Sequence, residues 1–225
     1  MFKVLLKGYL LLYNARQLFA WCTVVYTIAK QFAAHGSSAT SSIYSATGDL
    51  VVAAQAIASL EVVHAICGFV RAPVMATLVQ NFGRDIPLLI LAYVPQLQKT
   101  VFPTLLFSVW AITELIRYPF YISSDTFGKA PFWLTWLRYT AFIPLYPFGA
   151  FAEASIMISS LKYIATFTDF NLMLPNKYNI SFNFYYYLFA HIFVLPFAVL
   201  QLYLYLFTQR KKKLAPSSTL GTKEM

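Results

Sequence analysis

The chain has 225 residues, of which 59% are hydrophobic and only 11% are charged, and its mean hydropathy is +0.61. Its 17 basic and 8 acidic side chains are too few to cover the surface of a soluble protein of this length. Such a composition argues against a disordered chain, and two cysteines do not make a disulfide scaffold. The composition indicates a protein that crosses a membrane several times.

Most of the net charge of +9 lies near the two ends of the chain. Lys3 and Lys7 stand near the start, and five basic residues follow Thr208: Arg210, Lys211, Lys212, Lys213 and Lys223. Basic residues beside membrane spans mark the cytoplasmic side, and a short basic tail can also attract anionic lipid. A basic run this short, without a folded domain around it, argues against nucleic acid as a partner.

Six apolar stretches can each supply the roughly 20 residues that cross a bilayer. They lie near residues 9–29, 50–70, 74–94, 101–121, 137–160 and 183–207. An even number of spans puts both termini on one side, which also holds most of the Lys and Arg residues that lie outside the spans. We therefore predict an all-α membrane protein, a bundle of six transmembrane helices with both termini cytoplasmic. The membrane domain covers residues 1–207, and a basic, disordered cytoplasmic tail covers residues 208–225.

Eight charged residues fall inside the predicted spans: Arg16, Glu61, Arg84, Asp85, Glu114, Arg117, Arg138 and Glu153. A charge at mid-bilayer costs on the order of 2.5–3.5 kcal/mol on insertion scales, so each needs a partner or a function. Four are basic and four acidic, so pairing inside the bundle is one explanation. An ionisable group that takes part in chemistry is the other.

The fifth span carries a candidate acid–base site. Tyr146 and Glu153 are seven residues apart, nearly two helical turns, and so lie on one face. Gly149 lies between them on that face and leaves a notch beside the phenol and the carboxylate. Pro144 and Pro147 are expected to bend the helix and to free backbone groups, which a membrane tolerates only where a neighbouring helix or a cavity satisfies them.

The fourth span has a second polar face, formed by Glu114, Arg117, Tyr118 and Tyr121. Glu114 and Arg117 can neutralise each other, so a structural ion pair is the favoured interpretation, with a role beside the substrate as the alternative.

Two other kinds of site are disfavoured by spacing. Glu61 and His64 form a single ExxH pair, whereas a di-iron bundle needs two such pairs and two more carboxylates, so no metal is expected. The stretch from His64 to Arg71 is similar to a tyrosine-phosphatase signature. However, Cys67 is only four residues before Arg71, and Ala65 stands where the nucleophile belongs, so phosphatase activity is not predicted.

Four segments of the chain carry these residues and further motifs: LEVVHAICGFVRAP, WAITELIRYPFY, LRYTAFIPLYPFGAFAE and LPNKYNISFNFYYY. They resemble the corresponding segments of the very-long-chain (3R)-3-hydroxyacyl-CoA dehydratases, the protein-tyrosine-phosphatase-like family. The most specific element is the pattern RYxxFxxLYPxGxxxE, which is matched from Arg138 to Glu153 without a gap. The resemblance implies a multi-pass enzyme of the endoplasmic reticulum membrane that converts (3R)-3-hydroxyacyl-CoA to trans-2-enoyl-CoA and water, the third step of very-long-chain fatty acid elongation. It also implies that Tyr146 and Glu153 are the catalytic pair.

Dehydration requires one base and one acid and no cofactor. Glu153 acting as base and Tyr146 as proton donor is one assignment, and the reverse is the other. Around the pair we expect substrate-binding or supporting roles for Arg138, Gly149, Arg117, Tyr118 and Glu114. The expected partners are acyl-CoA, the lipid bilayer and other elongation enzymes, namely the condensing enzyme and the reductases. A catalytically idle scaffold of the elongase complex, or a small lipid-binding or transport protein, remains the alternative.

Overall fold

A computed structural model describes residues 2–166, 170–177 and 179–215, and most of these residues are helical. The helices are α1 (Phe2–His35), α2 (Ile43–Ala58), α3 (Leu60–Ile66), α4 (Val74–Tyr93), α5 (Pro95–Gln98), α6 (Val101–Phe127), α7 (Phe132–Arg138), α8 (Phe142–Ile164) and α9 (Phe184–Leu214). A 3-10 turn, Gly36–Ser41, joins α1 to α2. Within the described residues, β-structure is limited to an isolated bridge between Leu172 and Phe182. The predicted all-α class is therefore confirmed.

Four helical segments are long and apolar enough to cross a membrane: Ile43–Ile66, Val101–Phe127, Phe132–Ile164 and Phe184–Leu214. They overlap the second, fourth, fifth and sixth predicted spans. Helices α1 and α4 occupy the first and third predicted spans but are not among the four segments. By length and apolarity, the described part of the chain thus holds four candidate spans, fewer than the six predicted.

The helices extend beyond the stretches that their apolar residues marked. Helix α1 has 34 residues, which is about 51 Å at 1.5 Å per residue. The second predicted span, 50–70, is a helix that begins at Ile43 and is interrupted at Ser59 before α3. An apolar stretch reports the part of a helix that suits lipid, whereas backbone hydrogen bonding continues into polar residues on both sides.

The fifth predicted span, 137–160, is divided between α7 and α8. The chain leaves helical geometry over residues 139–141 and re-enters it at Phe142, so the interruption precedes both prolines. Pro144 then lies in the first turn of α8, where backbone N–H groups have no partner inside the helix in any case. Only Pro147 stands far enough inside α8 to remove a helical hydrogen bond.

Helix α6 lies at the centre of the molecule, packed against α1 on one side and α8 on the other. Its buried residues run from Pro103 to Tyr118 and include the polar Glu114. The helix ends at Phe127 and is followed by Gly128, whose φ of +78° is the left-handed geometry that glycine adopts most readily. Because α6 contacts both α1 and α8, polar groups on its faces can pair with either neighbour.

Helix α9 packs against α8 and buries only Phe184 and Leu188, both at its start. The Asn183 side chain accepts hydrogen bonds from the backbone N–H groups of Tyr185 and Tyr186 and so caps the helix. The helix continues through the basic run to Leu214. The part of the predicted disordered tail from residue 216 onward lies outside the described residues.

Candidate active site

Helix α8 carries both members of the candidate acid–base pair on one face. Tyr146 lies in its second turn and Glu153 two turns further on. A spacing of seven residues at 1.5 Å per residue separates their Cα atoms by about 10 Å along the helix axis. Both side chains are half-buried, so each combines a fixed position with access from outside the protein core.

Glu153 is held by α6. The indole N–H of Trp110 donates a hydrogen bond to Glu153 Oε1, with 3.3 Å between the nitrogen and the oxygen. On the same ring, the Arg84 guanidinium carbon lies 5.0 Å from the centroid, a cation–π arrangement. Trp110 therefore connects the carboxylate of α8 to a cation on α4 without a direct ion pair between them.

Tyr146 is held by α9. Its ring stacks on that of Tyr203, with 5.7 Å between centroids and an angle of 9° between planes. Within the described part of the chain, no hydrogen bond occupies the Tyr146 hydroxyl. The ring is thus supported from one side while its hydroxyl is available to a ligand.

Gly149 makes room for α6, not for an open notch. A Cβ atom added at this buried glycine would lie 3.3 Å from Val109 Cγ1, closer than most real contacts of this kind. The sequence predicted a notch at Gly149 beside the phenol and the carboxylate, and in the structure Val109 of α6 packs against this position. Close packing here brings α6 near enough for Trp110 to reach Glu153.

A network of ion pairs, with the buried Glu114 at its centre, surrounds the second polar face, the one on α6. Glu114 Oε1 accepts from Arg84 Nη1 at 2.6 Å and from Arg117 Nη1 at 3.1 Å. Arg117 also pairs with Glu61 of α3. These four side chains, which we call the ion-pair network, carry two positive and two negative charges and join α3, α4 and α6.

Two tyrosines complete the network. The Tyr118 hydroxyl donates to Glu61 Oε1 at 3.1 Å, and the Tyr13 hydroxyl of α1 donates to the same oxygen at 3.3 Å. The Arg117 guanidinium carbon also lies 5.1 Å from the Tyr118 ring centroid. Glu114, Arg117 and Tyr118 are therefore tied to α1, α3 and α4, which supports the structural interpretation of this face.

Arg138 ends α7, on the same side of the molecule as the first turn of α8. Its guanidinium carbon lies 6.0 Å from the centroid of the Tyr121 ring on α6. Within the described residues, no carboxylate forms a salt bridge with it. Its charge is therefore available at the end of the bundle from which α8 starts.

Sequence reasoning missed three residues that touch the pair or its supports: Trp110, Arg84 and Tyr203. Trp110 had a signal, because it precedes Glu114 by four residues and so belongs to the same polar face of α6. Arg84 was recognised as a charge within a span, but the spacing of residues within α4 could not predict its contacts with Glu114 and Trp110 of α6. Tyr203 had no signal, since it stands in an uncharged span rich in aromatic residues.

The two motifs that the sequence disfavoured, the Glu61/His64 pair and the phosphatase-like stretch from His64 to Arg71, form no common site in the described residues. Glu61 pairs with Arg117, whereas His64 Nε2 is hydrogen-bonded to the Tyr9 hydroxyl at 2.8 Å. Among the described residues, no group of three or more His, Cys, Asp or Glu side chains is close enough to hold a metal. Cys67 is exposed at the end of α3.

A cavity of about 680 Å³ opens between α2, α4 and the start of α9. Apolar side chains form most of its wall, with Gln55, Ser59 and Asp85 as polar exceptions. Its wall includes Phe170, Phe182 and Tyr187, and no lining residue comes from α8. Within the described residues, the cavity therefore does not include Tyr146 or Glu153.

Comparison with known proteins gives one consistent result. The family model for "Protein tyrosine phosphatase-like protein, PTPLA" matches residues 55–216. The chain is 37% identical over 208 residues to very-long-chain (3R)-3-hydroxyacyl-CoA dehydratase PASTICCINO 2B of Oryza sativa subsp. japonica, covering 92% of this chain and 93% of the relative. It is 36% identical over 218 residues to PASTICCINO 2 of Arabidopsis thaliana, another very-long-chain (3R)-3-hydroxyacyl-CoA dehydratase, with 95% and 96% covered.

A human relative extends this similarity beyond plants. The chain is 31% identical over 216 residues to very-long-chain (3R)-3-hydroxyacyl-CoA dehydratase 2 of Homo sapiens, covering 94% of this chain and 82% of the relative. No solved structure matches the chain. The resemblance that the motifs indicated is confirmed, and the chain belongs to the protein tyrosine phosphatase-like family, PTPLA.

Proposed function

We propose that this protein dehydrates (3R)-3-hydroxyacyl-CoA to trans-2-enoyl-CoA and water, the dehydration step of very-long-chain fatty acid elongation. The relatives that cover nearly the whole chain are named as dehydratases of this substrate class. The observation that carries the proposal is the phenol and carboxylate on one face of α8, Tyr146 and Glu153, within the family's most specific motif.

The reaction needs a proton removed from C2 by the base and a proton delivered by the acid to the hydroxyl oxygen on C3. The C2–H bond breaks, its electrons form the C2–C3 double bond, and the C3–O bond breaks as the hydroxyl leaves as water. The two carbons are adjacent, so a base and an acid must flank a single short segment of substrate. The Cα atoms of Tyr146 and Glu153 lie about 10 Å apart along the helix axis, so the two side chains would meet that segment from its two ends.

We assign the base to Glu153 and the proton donor to Tyr146. The Trp110 N–H that donates to Glu153 Oε1 stabilises the carboxylate form, which is the form a base requires. A phenol hydroxyl without a hydrogen-bond partner among the described residues is suited to donating to the departing oxygen of the substrate. Neither step calls for a metal or a redox cofactor.

We further propose that the chain spans the endoplasmic reticulum membrane six times, with both termini in the cytosol. Helices α1 and α4, with 34 and 20 residues, are long enough to cross beside the four candidate spans. This orientation puts Arg138 and the basic end of α9 at the cytosolic surface, where the phosphates of CoA remain. The acyl chain would then enter the bundle towards Glu153.

The elongation cycle supplies a chemical reason for partners. The 3-hydroxyacyl-CoA substrate is the product of a ketoacyl reduction, and the enoyl-CoA product is the substrate of a second reduction. We therefore propose that the protein works beside the condensing enzyme and the two reductases in the same membrane. Direct transfer of a membrane-bound acyl chain avoids moving it through water.

Purified protein in lipid nanodiscs, supplied with a long-chain (3R)-3-hydroxyacyl-CoA, tests the activity by formation of enoyl-CoA. The (3S) epimer serves as the control substrate and is expected to react far more slowly. Tyr146→Phe and Glu153→Gln are each expected to lose about 10²–10⁴-fold in kcat, while Tyr186→Phe, at an exposed phenol on α9, keeps full activity. A folded parent protein without turnover would support the scaffold alternative. Full turnover by both site variants would refute the assigned pair.

A further inference from the structure

Pro147 leaves a backbone carbonyl of α8 without its usual donor. In an α-helix the N–H of residue i bonds the carbonyl of residue i−4, and proline has no N–H. The carbonyl concerned is that of Ile143, one turn before Pro147. An unsatisfied carbonyl in lipid costs several kcal/mol, so this position needs a donor from elsewhere.

Tyr203 of α9 provides that donor. Its hydroxyl donates a hydrogen bond to the Ile143 carbonyl at 3.0 Å. The same side chain stacks in parallel on the Tyr146 ring, 5.7 Å between centroids and 9° between planes. One side chain therefore satisfies the proline defect of α8 and also covers one face of the candidate proton donor.

Tyr203 is itself held in place by a cluster of rings. Phe142 lies 5.8 Å from it at 79°, and Phe207 lies 5.1 Å from it at 82°. Phe142 and Phe207 also contact each other edge to face at 5.1 Å. Edge-to-face contacts fix the orientation of each ring, so the Tyr203 hydroxyl and ring face are set before any ligand binds.

A polar contact continues the same face of α9. Arg210, seven residues after Tyr203, donates from Nε to Thr140 Oγ1 at 3.3 Å. Thr140 lies in the non-helical residues between α7 and α8. One face of α9 therefore contacts both the non-helical residues before α8 and the first turns of α8. The residues on this face are Tyr203, Phe207 and Arg210.

We propose that Tyr203 is a positioning residue for catalysis, holding the Tyr146 ring and the first turns of α8 in the geometry that the reaction requires. This inference rests on the proposed function. Tyr203 lies against one face of the Tyr146 ring, so we expect the 3-hydroxyl group to reach the phenol from the opposite side. Since the misplacement of a reacting group by about 1 Å can cost about 100-fold in rate, support for this ring is expected to appear in kcat.

Two substitutions separate the two roles of Tyr203. Tyr203→Phe keeps the stacked ring and removes the hydrogen bond to Ile143, and we expect kcat to fall about 2- to 10-fold. Tyr203→Leu also removes the stack, and we expect a fall of about 10- to 100-fold. In both variants the KM for acyl-CoA stays within about twofold of the parent value, because the residue does not bind substrate. The matched controls are Tyr205→Phe and Tyr205→Leu, at an exposed position two residues further along α9.

The pH profile of kcat distinguishes positioning from general stability. A loss of folded protein lowers the whole profile without moving it, whereas an altered setting for Tyr146 moves its basic limb in Tyr203→Leu. The thermal midpoint and gel-filtration profile of each variant are measured beside the kinetics. If Tyr203→Leu does not fold, the kcat and pH profile of Tyr203→Phe decide.

Tyr146→Phe, measured alongside, keeps the two possible failures apart. If Tyr146→Phe retains full turnover, the proposed function of the phenol fails and the role of Tyr203 fails with it. If Tyr146→Phe is inactive while both Tyr203 variants match the parent, only the present inference is overturned. A uniform fall of kcat with an unmoved pH profile would also overturn it, by assigning Tyr203 to the fold alone.

Discussion

Glu114 is the side chain on which the ion-pair network depends, and replacing it by glutamine tests that interpretation. Its Oε1 atom accepts from both Arg84 and Arg117, at 2.6 and 3.1 Å. The Glu114 side chain is 1% exposed, against 22% for Arg84 and 16% for Arg117. Glutamine keeps the size of the side chain and one oxygen but removes the negative charge that both guanidinium groups face.

The expected loss of stability in Glu114→Gln depends on the ion pairs that Arg84 and Arg117 keep. Arg117 keeps its pair with Glu61, whereas Arg84 loses the one ion pair that it makes within the described residues. Breaking a buried pair by removing one partner costs about 3–5 kcal/mol. Because Arg84 is partly exposed and Arg117 remains paired, the lower end, about 3 kcal/mol, is the expected loss in the free energy of unfolding. For a chain of this length that corresponds to a thermal midpoint lower by about 6–12 °C.

Thermal unfolding in detergent, followed by tryptophan fluorescence, measures this difference directly. Glu153→Gln is the matched control, since it makes the same chemical change on the neighbouring helix. Glu153 accepts from the neutral indole of Trp110 and forms no salt bridge within the described residues, and glutamine can still accept that bond. We expect its midpoint to stay within about 2 °C of the parent value.

The two variants are therefore expected to differ in which property they lose. Glu114→Gln lowers stability strongly, while Glu153→Gln keeps stability and loses turnover. An unchanged midpoint for Glu114→Gln would refute the structural role of the network. Equal falls in the midpoint for both variants would show that the two carboxylates are equally important for stability, which also contradicts the reasoning.

Three further predictions concern the surroundings of the pair. Trp110→Phe keeps a ring near Arg84 but removes the N–H donor to Glu153, and we expect kcat to fall about tenfold, the lower end for a hydrogen bond to a charged group. Gly149→Ala presses a methyl group against Val109, and we expect a loss of about 1–3 kcal/mol in stability from overpacking, measured by thermal unfolding. Arg138→Gln is expected to raise KM for acyl-CoA about tenfold with kcat unchanged, the result of losing uniform binding to the CoA phosphates.

Each of these three has a simple contradiction. Trp133→Phe, at an exposed position, is the control and is expected to keep the parent kcat. If Trp110→Phe also keeps the parent kcat, the indole N–H does not position or stabilise the Glu153 carboxylate. A Gly149→Ala protein as stable as the parent would mean that Val109 moves aside at no cost. An Arg138→Gln enzyme with an unchanged KM would leave that arginine only its contact with Tyr121.

The sequence was sufficient to place the candidate pair on one helix but not to identify the groups that hold the pair. Tyr146 and Glu153 share a face because of a spacing within one helix, and such spacing is visible in the sequence. Trp110 reaches Glu153 across 43 positions, and Arg117 reaches Glu61 across 56. Those contacts depend on how helices pack, and no local period encodes which neighbour a given face will meet.

The same reasoning explains why the span count differs. The apolar pattern identified α1 and α4 as spans, yet both interrupt their apolar residues with polar ones such as Gln17 on α1 and Arg84 on α4. These polar groups face other helices: Gln17 donates to the Ala54 carbonyl, and Arg84 pairs with Glu114. A helix that turns such groups towards a neighbouring helix can carry them at little cost, so its composition understates its capacity to lie within a membrane bundle.

Helix α9 is strongly apolar, yet one of its faces makes specific contacts with α8. It carries no Asp, Glu, Lys or Arg before Arg210, and it buries only Phe184 and Leu188. By composition it is a helix that faces lipid. However, one of its faces contacts the Ile143 carbonyl and the Tyr146 ring through Tyr203. Pro147 creates the need for a donor on α8, and the side chain that meets this need also touches the phenol. The Ile143 carbonyl that Pro147 leaves without a helical donor and the setting of the candidate proton donor therefore depend on the same neighbour, so a change at Pro147 or at Tyr203 is expected to alter both.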